Sequence, residues 1–195
     1  MTKKQEIIKL AHFLYELGTL RKTARAHRQT LLTDDLSDNI ASHSYRVAII
    51  GWLLAELENA NPDKIIKMCL LHDIAETRSN DQNWIHKRYV KVFENEITND
   101  QLKNLPQETK FKKILSEYNK RETLESKIAK DADLIDQILL LKEYGWQGNK
   151  EAKEWLKGAE QGKKLTTTSA KVLQKEIISQ KPSDWWQNIW TAKRR

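Results

Sequence analysis

Apolar residues recur at the three- and four-residue spacing of an α-helix in nearly every segment of this 195-residue chain. The pattern is strongest over residues 122–144, which include Ile128, Ala132, Ile135 and Leu139. Helix-breaking residues are scarce, with three Pro and six Gly, and no segment alternates apolar and polar residues as a half-buried strand does. The sequence therefore predicts an all-α fold.

The same spacing places the individual helices and the loops between them. Asn61 and Pro62 are typical of a helix start, and Gly145 is expected to end the longest helix. The polar residues 19–38 and 77–83 are predicted to be loops. Helices are predicted at residues 4–18, 39–59, 62–76, 84–98, 107–119, 122–144, 149–158 and 168–179, with a last turn from Asp184.

Length and composition limit the class of protein. We expect one domain over residues 1–195, with a helical core at about 10–145 and a C-terminal helical extension at about 146–195. The only cysteine, Cys69, excludes an internal disulfide. The N-terminal segment lacks the apolar core of a signal peptide, and no run approaches the roughly 20 apolar residues of a membrane span. The sequence therefore predicts a cytoplasmic protein that does not enter a membrane.

Two histidines occur where the helical pattern is otherwise apolar. His43 lies in line with Val47 and Ile50, and the pair His72-Asp73 ends an apolar run. Helices joined by a short turn pack side by side, so His43 and His72 are expected to meet in the core. Taken singly, His43 is better explained as a core histidine bonded to a carbonyl, and His72-Asp73 fits a solvated helix end equally well.

Three carboxylates interrupt the apolar helix predicted for residues 122–144, namely Asp131, Asp133 and Asp136. Asp133 shares a helical face with Ala129, and buried Asp is uncommon unless it is paired or bound to a metal. Asp131 and Asp136 are expected to be solvated. Of the three carboxylates, Asp133 is therefore the best candidate for a functional role.

His43, His72, Asp73 and Asp133 together offer nitrogen and oxygen donors. This mixture suits Mn, Fe, Co, Ni or Zn better than Ca or Mg, which prefer oxygen alone. Four protein ligands on a six-coordinate ion leave positions for water and substrate, which is typical of a catalytic site.

The order of these residues resembles that of the HD-domain metal-dependent phosphohydrolases, and more closely that of their 5'-deoxynucleotidase-like branch. The likeness rests on NIASHSYRVA at 39–48, LHDIAE at 71–76 and SEYNKRETLESKIAKDAD at 116–133. It covers roughly residues 10–145 of the chain. It implies an HD-domain helical bundle around one divalent metal ion, which could be Mn, Co, Fe, Ni, Zn or Mg.

The resemblance also assigns roles. The implied metal ligands are His43, His72, Asp73 and Asp133. Glu76 would assist proton transfer, and Asp81 would lie near the substrate. Arg25 would hold the phosphate, with Arg78 as a second candidate. The implied substrate is a small phosphorylated compound, above all a (deoxy)nucleoside 5'-monophosphate.

The chain departs from the pattern of this branch at two positions. Ser42 precedes the first histidine, where the branch usually has Glu. Arg25 is followed by Ala26, where an aromatic residue that helps to select the sugar is expected. The sequence therefore leaves the selection of deoxyribose open.

Two further features bear on the type of site and on partners. His86 is the only histidine after the His72-Asp73 pair, so a two-metal site is not expected, and His86 is predicted to lie at the surface. Five of the seven tryptophans fall in the last quarter of the chain: Trp146, Trp155, Trp185, Trp186 and Trp190. They are expected to pack the C-terminal helices onto the bundle or to bury a contact in a homodimer.

Three functions are compatible with these observations. The first is hydrolysis of a nucleoside 5'-monophosphate or a similar phosphomonoester. The second is a phosphatase or pyrophosphohydrolase for another metabolite, which the residue after Arg25 favours. The third is a basic helical module that binds nucleic acid, which the net charge of +7 and the Trp-rich C-terminus favour.

Overall fold

The computed structural model describes residues 2–187 and residue 189, and the regular structure of this part of the chain is helical. Its only extended pairing is an isolated bridge between Ala24 and Asn39. The helices are α1 (Lys3–Leu17), α2 (His27–Leu31), α3 (Ile40–Leu57), α4 (Pro62–Leu71), α5 (Glu76–Ser79), α6 (Trp84–Tyr89), α7 (Glu94–Leu102), α8 (Glu108–Lys120), α9 (Leu124–Trp146), α10 (Lys150–Gly158), α11 (Glu160–Lys163), α12 (Thr168–Ser179) and α13 (Asp184–Gln187). The predicted all-α class is confirmed.

Helix α9 is the centre of the bundle, since α3, α4, α8, α10, α11 and α12 all pack against it. Its residues Ile128, Ala132 and Ile135 are completely buried. They meet Leu54 of α3 and Met68 of α4 in the main hydrophobic core. Burial of this apolar surface is the principal term that holds the three helices together.

The three helices that build the core begin at side-chain caps. The side chains of Asn39, Asn61 and Thr123 accept hydrogen bonds from backbone N–H groups in the first turns of α3, α4 and α9, respectively. Pro62 occupies the first turn of α4, where its missing N–H costs nothing. The predicted start at Asn61 and Pro62 is confirmed.

Several boundaries differ from the prediction. The helix expected over residues 62–76 ends at Leu71, and the segment 77–83, expected to be a loop, begins inside α5. The helix expected over residues 84–98 is divided into α6 and α7, because the backbone at Val90 is extended and Phe93 also leaves the helical region. Helix α9 continues past Gly145, so that the predicted stop is wrong. A β-carbon at Gly145 would lie 3.2 Å from Lys153 Cγ, and the residue instead allows α10 to approach closely.

The polar segment 19–38, expected to be a loop, contains a short 3-10 helix, Gly18–Lys22, and the helix α2. Leu20 and Leu31 explain why this segment is ordered, since both side chains are buried. The segment thereby lies against the bundle and carries Arg25 with it.

The C-terminal helices pack back onto α9 and α3, and Ala152 and Ala170 are completely buried there. Trp155 is half-buried beside Leu31, whereas the exposed tryptophans of this region are Trp146, Trp185 and Trp186. Trp190 lies outside the described residues. Among the described helices, none combines the length and apolarity needed to cross a membrane.

We predict that Gly51→Ala lowers the free energy of unfolding by about 1–3 kcal/mol. A β-carbon at this position of α3 would lie 2.7 Å from Cys69 Sγ and 2.9 Å from Ile65 Cγ2, both on α4. Denaturant unfolding would measure the loss. Gly158→Ala in α10, where a β-carbon meets nothing within 4 Å, is the control and should not be destabilised. Equal stability of the two variants would contradict the close approach of α3 and α4.

Candidate metal centre

Three polar side chains converge where α3 meets the end of α4. His43 projects from α3, and His72 and Asp73 follow directly after α4. His43 Nε2 lies 3.3 Å from His72 Nε2 and 3.6 Å from Asp73 Oδ2, and His72 Nε2 lies 3.1 Å from the same oxygen. The donor atoms of these three residues all lie within 4.8 Å of one another.

Asp133 of α9 lies at the edge of this group. Its Oδ1 is 3.4 Å from His43 Nε2 and 4.0 Å from His72 Nε2. Its Oδ2 accepts a hydrogen bond from Lys130 Nζ at 2.6 Å. The structure thus groups three of the four residues that were predicted as ligands and places one oxygen of the fourth, Asp133, beside both histidines.

Both imidazole rings are oriented by a hydrogen bond at Nδ1. His43 Nδ1 lies 2.6 Å from Asp136 Oδ2, and His72 Nδ1 lies 2.7 Å from the Cys69 carbonyl oxygen. Because both partners are acceptors, each Nδ1 carries a proton, and in the neutral ring the lone pair is on Nε2. Both lone pairs then face the cluster, which is the arrangement that metal-binding histidines adopt.

The donor atoms fit a single divalent ion. Two adjacent ligands that each lie about 2.1 Å from one ion are separated by about 3.0–3.5 Å. His43 Nε2, His72 Nε2 and Asp73 Oδ2 are separated by 3.1–3.6 Å. Imidazole nitrogen combined with carboxylate oxygen is the donor chemistry of first-row transition ions.

The charges of the cluster also favour a cation. Burial alone would raise the pKa of Asp73, but His72 and His43 outweigh it and lower the pKa to about 2. For Asp133 burial is likewise outweighed, chiefly by Lys130 and His43, so its pKa lies well below the usual range. Both carboxylates are therefore ionised at neutral pH, as metal ligands must be.

Glu76 is the first residue of α5 and lies beside this group of carboxylates. Burial, together with the negative charges of Asp73 and Asp81, raises the pKa of Glu76 to about 10, although Arg25 opposes the shift. Its Oε2 is buried without a hydrogen-bond partner. In the metal-free chain this carboxyl group holds its proton at neutral pH, and it is therefore suited to carry one.

Arg25 is a buried cation whose hydrogen-bonding capacity is largely unused. Its Nη2 lies 3.4 Å from Gln137 Oε1 and its Nε 3.5 Å from Asp81 Oδ2, while Nε and Nη1 have no hydrogen-bond partner. Burial disfavours the charge, but Asp81, Asp73 and Asp133 outweigh burial and raise the pKa of Arg25. A buried guanidinium with free donors is suited to binding an anion.

Asp81 supports this part of the site from the loop after α5. Its Oδ2 accepts a hydrogen bond at 2.7 Å from the backbone N–H of Ala26, the residue that follows Arg25. Arg78 is not brought to the cluster, because it is exposed and binds both carboxylate oxygens of Glu16, at 2.6 and 3.0 Å. Of the two arginines considered for the phosphate, only Arg25 lies beside the candidate site.

The expectation that Asp131 and Asp136 are solvated is wrong. Asp131 is completely buried and accepts hydrogen bonds from the backbone N–H groups of Thr166 and Thr167 at 2.9 and 2.8 Å. Asp136 is 3% exposed and binds His43. The expectation failed because α9 is covered by other helices on several sides, so that no single face of it is free for charged groups.

His86 and His27 also differ from simple surface residues. His86 is half-buried and lines a cavity with Arg25 and Arg28 rather than lying fully at the surface, as was predicted. The ring of His27 lies edge-on against Trp155 at 5.2 Å, and burial followed by the charge of Arg25 lowers its pKa to about 4.

Comparison with known proteins identifies a family model, described as the HD domain, that matches residues 17–174. The match extends beyond residue 145 into α12. The 5'-deoxynucleotidase HDDC2 of Xenopus laevis is 28% identical over 148 residues, which are 69% of each chain. A 5'-deoxynucleotidase of Erwinia tasmaniensis is 27% identical over 156 residues, 72% of this chain and 77% of that protein.

Two solved structures illustrate the likeness of the fold. A conserved hypothetical protein from Pyrococcus furiosus superposes with a TM-score of 0.73 at 26% identity and covers 87% of this chain and 99% of its own. A predicted metal-dependent phosphohydrolase from Magnetospirillum magnetotacticum has a TM-score of 0.69 at 20% identity, with 89% and 91% covered. At 20% identity, the match to the second structure supports a shared fold and nothing further.

We predict that Asp131→Ala lowers the free energy of unfolding by about 3 kcal/mol, because it leaves the buried N–H groups of Thr166 and Thr167 without an acceptor. Glu58→Ala is the matched control, since Glu58 also binds the start of α12, through the N–H of Ser169, but is less buried. Denaturant unfolding should show a clearly smaller loss of unfolding free energy for Glu58→Ala than for Asp131→Ala. A larger loss for Glu58→Ala would contradict the buried role of Asp131.

Proposed function

The chain belongs to the HD-domain family, and we propose that it is a metal-dependent phosphohydrolase that cleaves a (deoxy)nucleoside 5'-monophosphate to the nucleoside and phosphate. The observation that carries this proposal is the buried Arg25, with unused donors, beside a cluster of two imidazoles and two carboxylates. A cation-binding cluster adjoining an anion-binding guanidinium suits a phosphate ester that bridges a metal ion and an arginine. The relatives named 5'-deoxynucleotidase support the choice of substrate.

In this proposal His43, His72, Asp73 and Asp133 hold one divalent ion. When bound, the ion supplies Lewis acidity towards a phosphate oxygen and a water molecule. The chain itself orients the four donors, through Asp136 and the Cys69 carbonyl behind the imidazoles and Lys130 beside Asp133. Mn, Co, Fe, Ni and Zn suit the mixed donors best, and Mg is the further candidate.

Arg25 binds the phosphate group of the substrate. Its Nη1, which has no partner within the chain, donates hydrogen bonds to phosphate oxygens, and its charge offsets the charge that develops during transfer. Gln137 lies against Nη2 and Asp81 lies 3.5 Å from Nε, and these two residues hold the guanidinium in place. Binding an anion also satisfies donors that are otherwise buried without partners.

Glu76 moves the proton of the reaction. In hydrolysis the oxygen of water forms a bond to phosphorus, and the bond from phosphorus to the sugar oxygen breaks, so that water loses a proton and the sugar oxygen gains one. The high pKa of Glu76 makes its carboxyl group a proton donor at neutral pH in the metal-free chain. Arg25 and a bound cation both favour the ionised form, which can then accept a proton from water.

A second candidate is a phosphatase or pyrophosphohydrolase that acts on another phosphorylated metabolite. Ala26 stands where an aromatic residue would restrict the sugar, and the adjoining cavity contains Arg28 and His86. The side chains of Arg28 and Asp34 approach only to 3.9 Å, so this arginine is available to a second anionic group. A substrate with more than one phosphate would use it.

We predict that phosphate release from nucleoside 5'-monophosphates requires a divalent ion, is abolished by a chelator and returns when Mn²⁺ or Co²⁺ is added. Asp73→Ala should lower kcat/KM at least 10³-fold and abolish metal binding by calorimetry, because it removes a ligand. Asp63→Ala, an exposed carboxylate in the first turn of α4, is the control and should match the unmodified protein. A panel extended to sugar phosphates, nucleoside diphosphates and tetraphosphates separates the two candidates.

Chelator-resistant hydrolysis, or an active Asp73→Ala variant, would refute the metal mechanism. Salt-sensitive binding of DNA or RNA without turnover of any phosphate ester would instead support the nucleic-acid-binding alternative, for which the exposed Trp185 and Trp186 are the candidate contacts.

Glu76→Gln is predicted to lower kcat by about 10²–10⁴-fold, since the amide keeps the shape of the side chain but cannot exchange a proton. The metal dissociation constant should change less than threefold, because Glu76 is not among the four proposed ligands. Steady-state kinetics and calorimetry measure the two effects separately. Unchanged kcat, or loss of metal binding in parallel with activity, would contradict the role of Glu76 in proton transfer.

A further inference from the structure

Asp136 lies behind His43, on the side of the imidazole ring away from the metal cluster. We propose that Asp136, held by Arg46, is the positioning residue that makes His43 a strong metal ligand. The inference rests on the proposed metal site, and it assigns a role to two residues that are not themselves ligands.

The carboxylate of Asp136 is fixed by a different partner at each oxygen. Oδ2 lies 2.6 Å from His43 Nδ1, and Oδ1 accepts a hydrogen bond from Arg46 Nε. Only 3% of Asp136 is exposed. Because rotation of the carboxylate would break both contacts inside the protein, the acceptor that faces His43 is held in one position.

Arg46 connects this carboxylate to the surface. It follows His43 by three residues on α3, so the two side chains lie on neighbouring positions of one helix face and hold Asp136 of α9 between them. Arg46 Nη1 donates to Glu143 Oε1 at 2.7 Å, and Nη2 lies 3.4 Å from the Asp136 carbonyl oxygen. The guanidinium is thereby anchored at three points on α9.

The two candidate imidazole ligands differ in the hydrogen-bond acceptor at Nδ1. His72 donates its Nδ1 proton to a neutral carbonyl, whereas His43 donates to a carboxylate that is already paired with Arg46. A carboxylate acceptor fixes the tautomer with the lone pair on Nε2 and makes that nitrogen a better donor to a metal. Loss of the carboxylate should therefore weaken metal binding through His43 in particular.

The alternative is that Asp136 only balances the charge of Arg46 in the core. Asp131 provides the comparison, because it is also a buried carboxylate on α9 but binds Thr166 and Thr167, away from the histidines. If both carboxylates serve stability alone, their amide variants should affect metal binding alike.

The test compares Asp136→Asn with Asp131→Asn in the full chain, with the dissociation constant for Zn²⁺ or Mn²⁺ from calorimetry and the thermal unfolding of the metal-free protein as readouts. Asp136→Asn should weaken metal binding about 10- to 100-fold. Asp131→Asn should lower the melting temperature at least as much but change the dissociation constant less than threefold. Equal dissociation constants for the two variants would overturn the proposal.

A surface variant covers the case in which Asp136→Asn does not fold. Arg46→Met removes the anchor of Asp136, and Lys64→Met is the matched control, since each side chain is 34% exposed and forms an ion pair, with Asp136 and with Glu117. Arg46→Met should weaken metal binding about 3- to 10-fold, an effect smaller than removal of the carboxylate itself. Lys64→Met should have no effect. Wild-type affinity in Arg46→Met would count against the proposal.

Metal binding by the unmodified protein separates failure of the metal site from failure of the role of Asp136. If the unmodified protein binds no divalent ion, the proposed function itself is wrong. If it binds the ion and Asp136→Asn binds equally well, the metal site stands and only the role of Asp136 is lost.

Discussion

The need to pair buried carboxylates is the constraint on which both the fold and the candidate site depend. Helix α9 carries Asp131 and Asp136 into a core where an unpaired charge costs several kcal/mol, and it places the partly buried Asp133 at the edge of that core. Each finds donors on a different element: Thr166 and Thr167 before α12, Lys130 on α9, and the α3 residues His43 and Arg46. The pairings that fix α3 and α12 on α9 therefore also place the oxygen of Asp133 beside two imidazoles.

Much of the fold could be predicted because its signals are local. Caps such as Asn39, Asn61 and Thr123 act within one helical turn, and apolar spacing marks a helix without knowledge of its neighbours. The proposed ligands were conspicuous for a related reason, since His43 and Asp133 interrupt apolar runs in which a polar side chain needs a partner. Their common location follows from the packing of α3, α4 and α9.

What the sequence did not predict depends on contacts between distant residues. Asp136 binds His43, which is 93 residues away in the sequence, and Asp131 binds Thr167, which is 36 residues away. Periodicity within α9 could not reveal these partners, because it assumes one buried face, whereas α9 is covered on several sides. Gly145 failed as a stop signal for the same reason, since its role is set by Lys153 of the helix that packs on it.

The candidate site contains buried charged side chains whose hydrogen-bonding capacity is only partly used. Asp131 has every oxygen paired within the chain, whereas Arg25 retains two buried nitrogens without partners and Glu76 one buried oxygen. A fold selected for stability alone would satisfy or remove these groups, because each costs about 1–3 kcal/mol. In the proposed function a divalent ion binds beside the ionised carboxylates, and a phosphate ester binds to the guanidinium. The unmet polar groups thus specify the charge of the ligands, while the residue after Arg25 bears on which sugar is accepted.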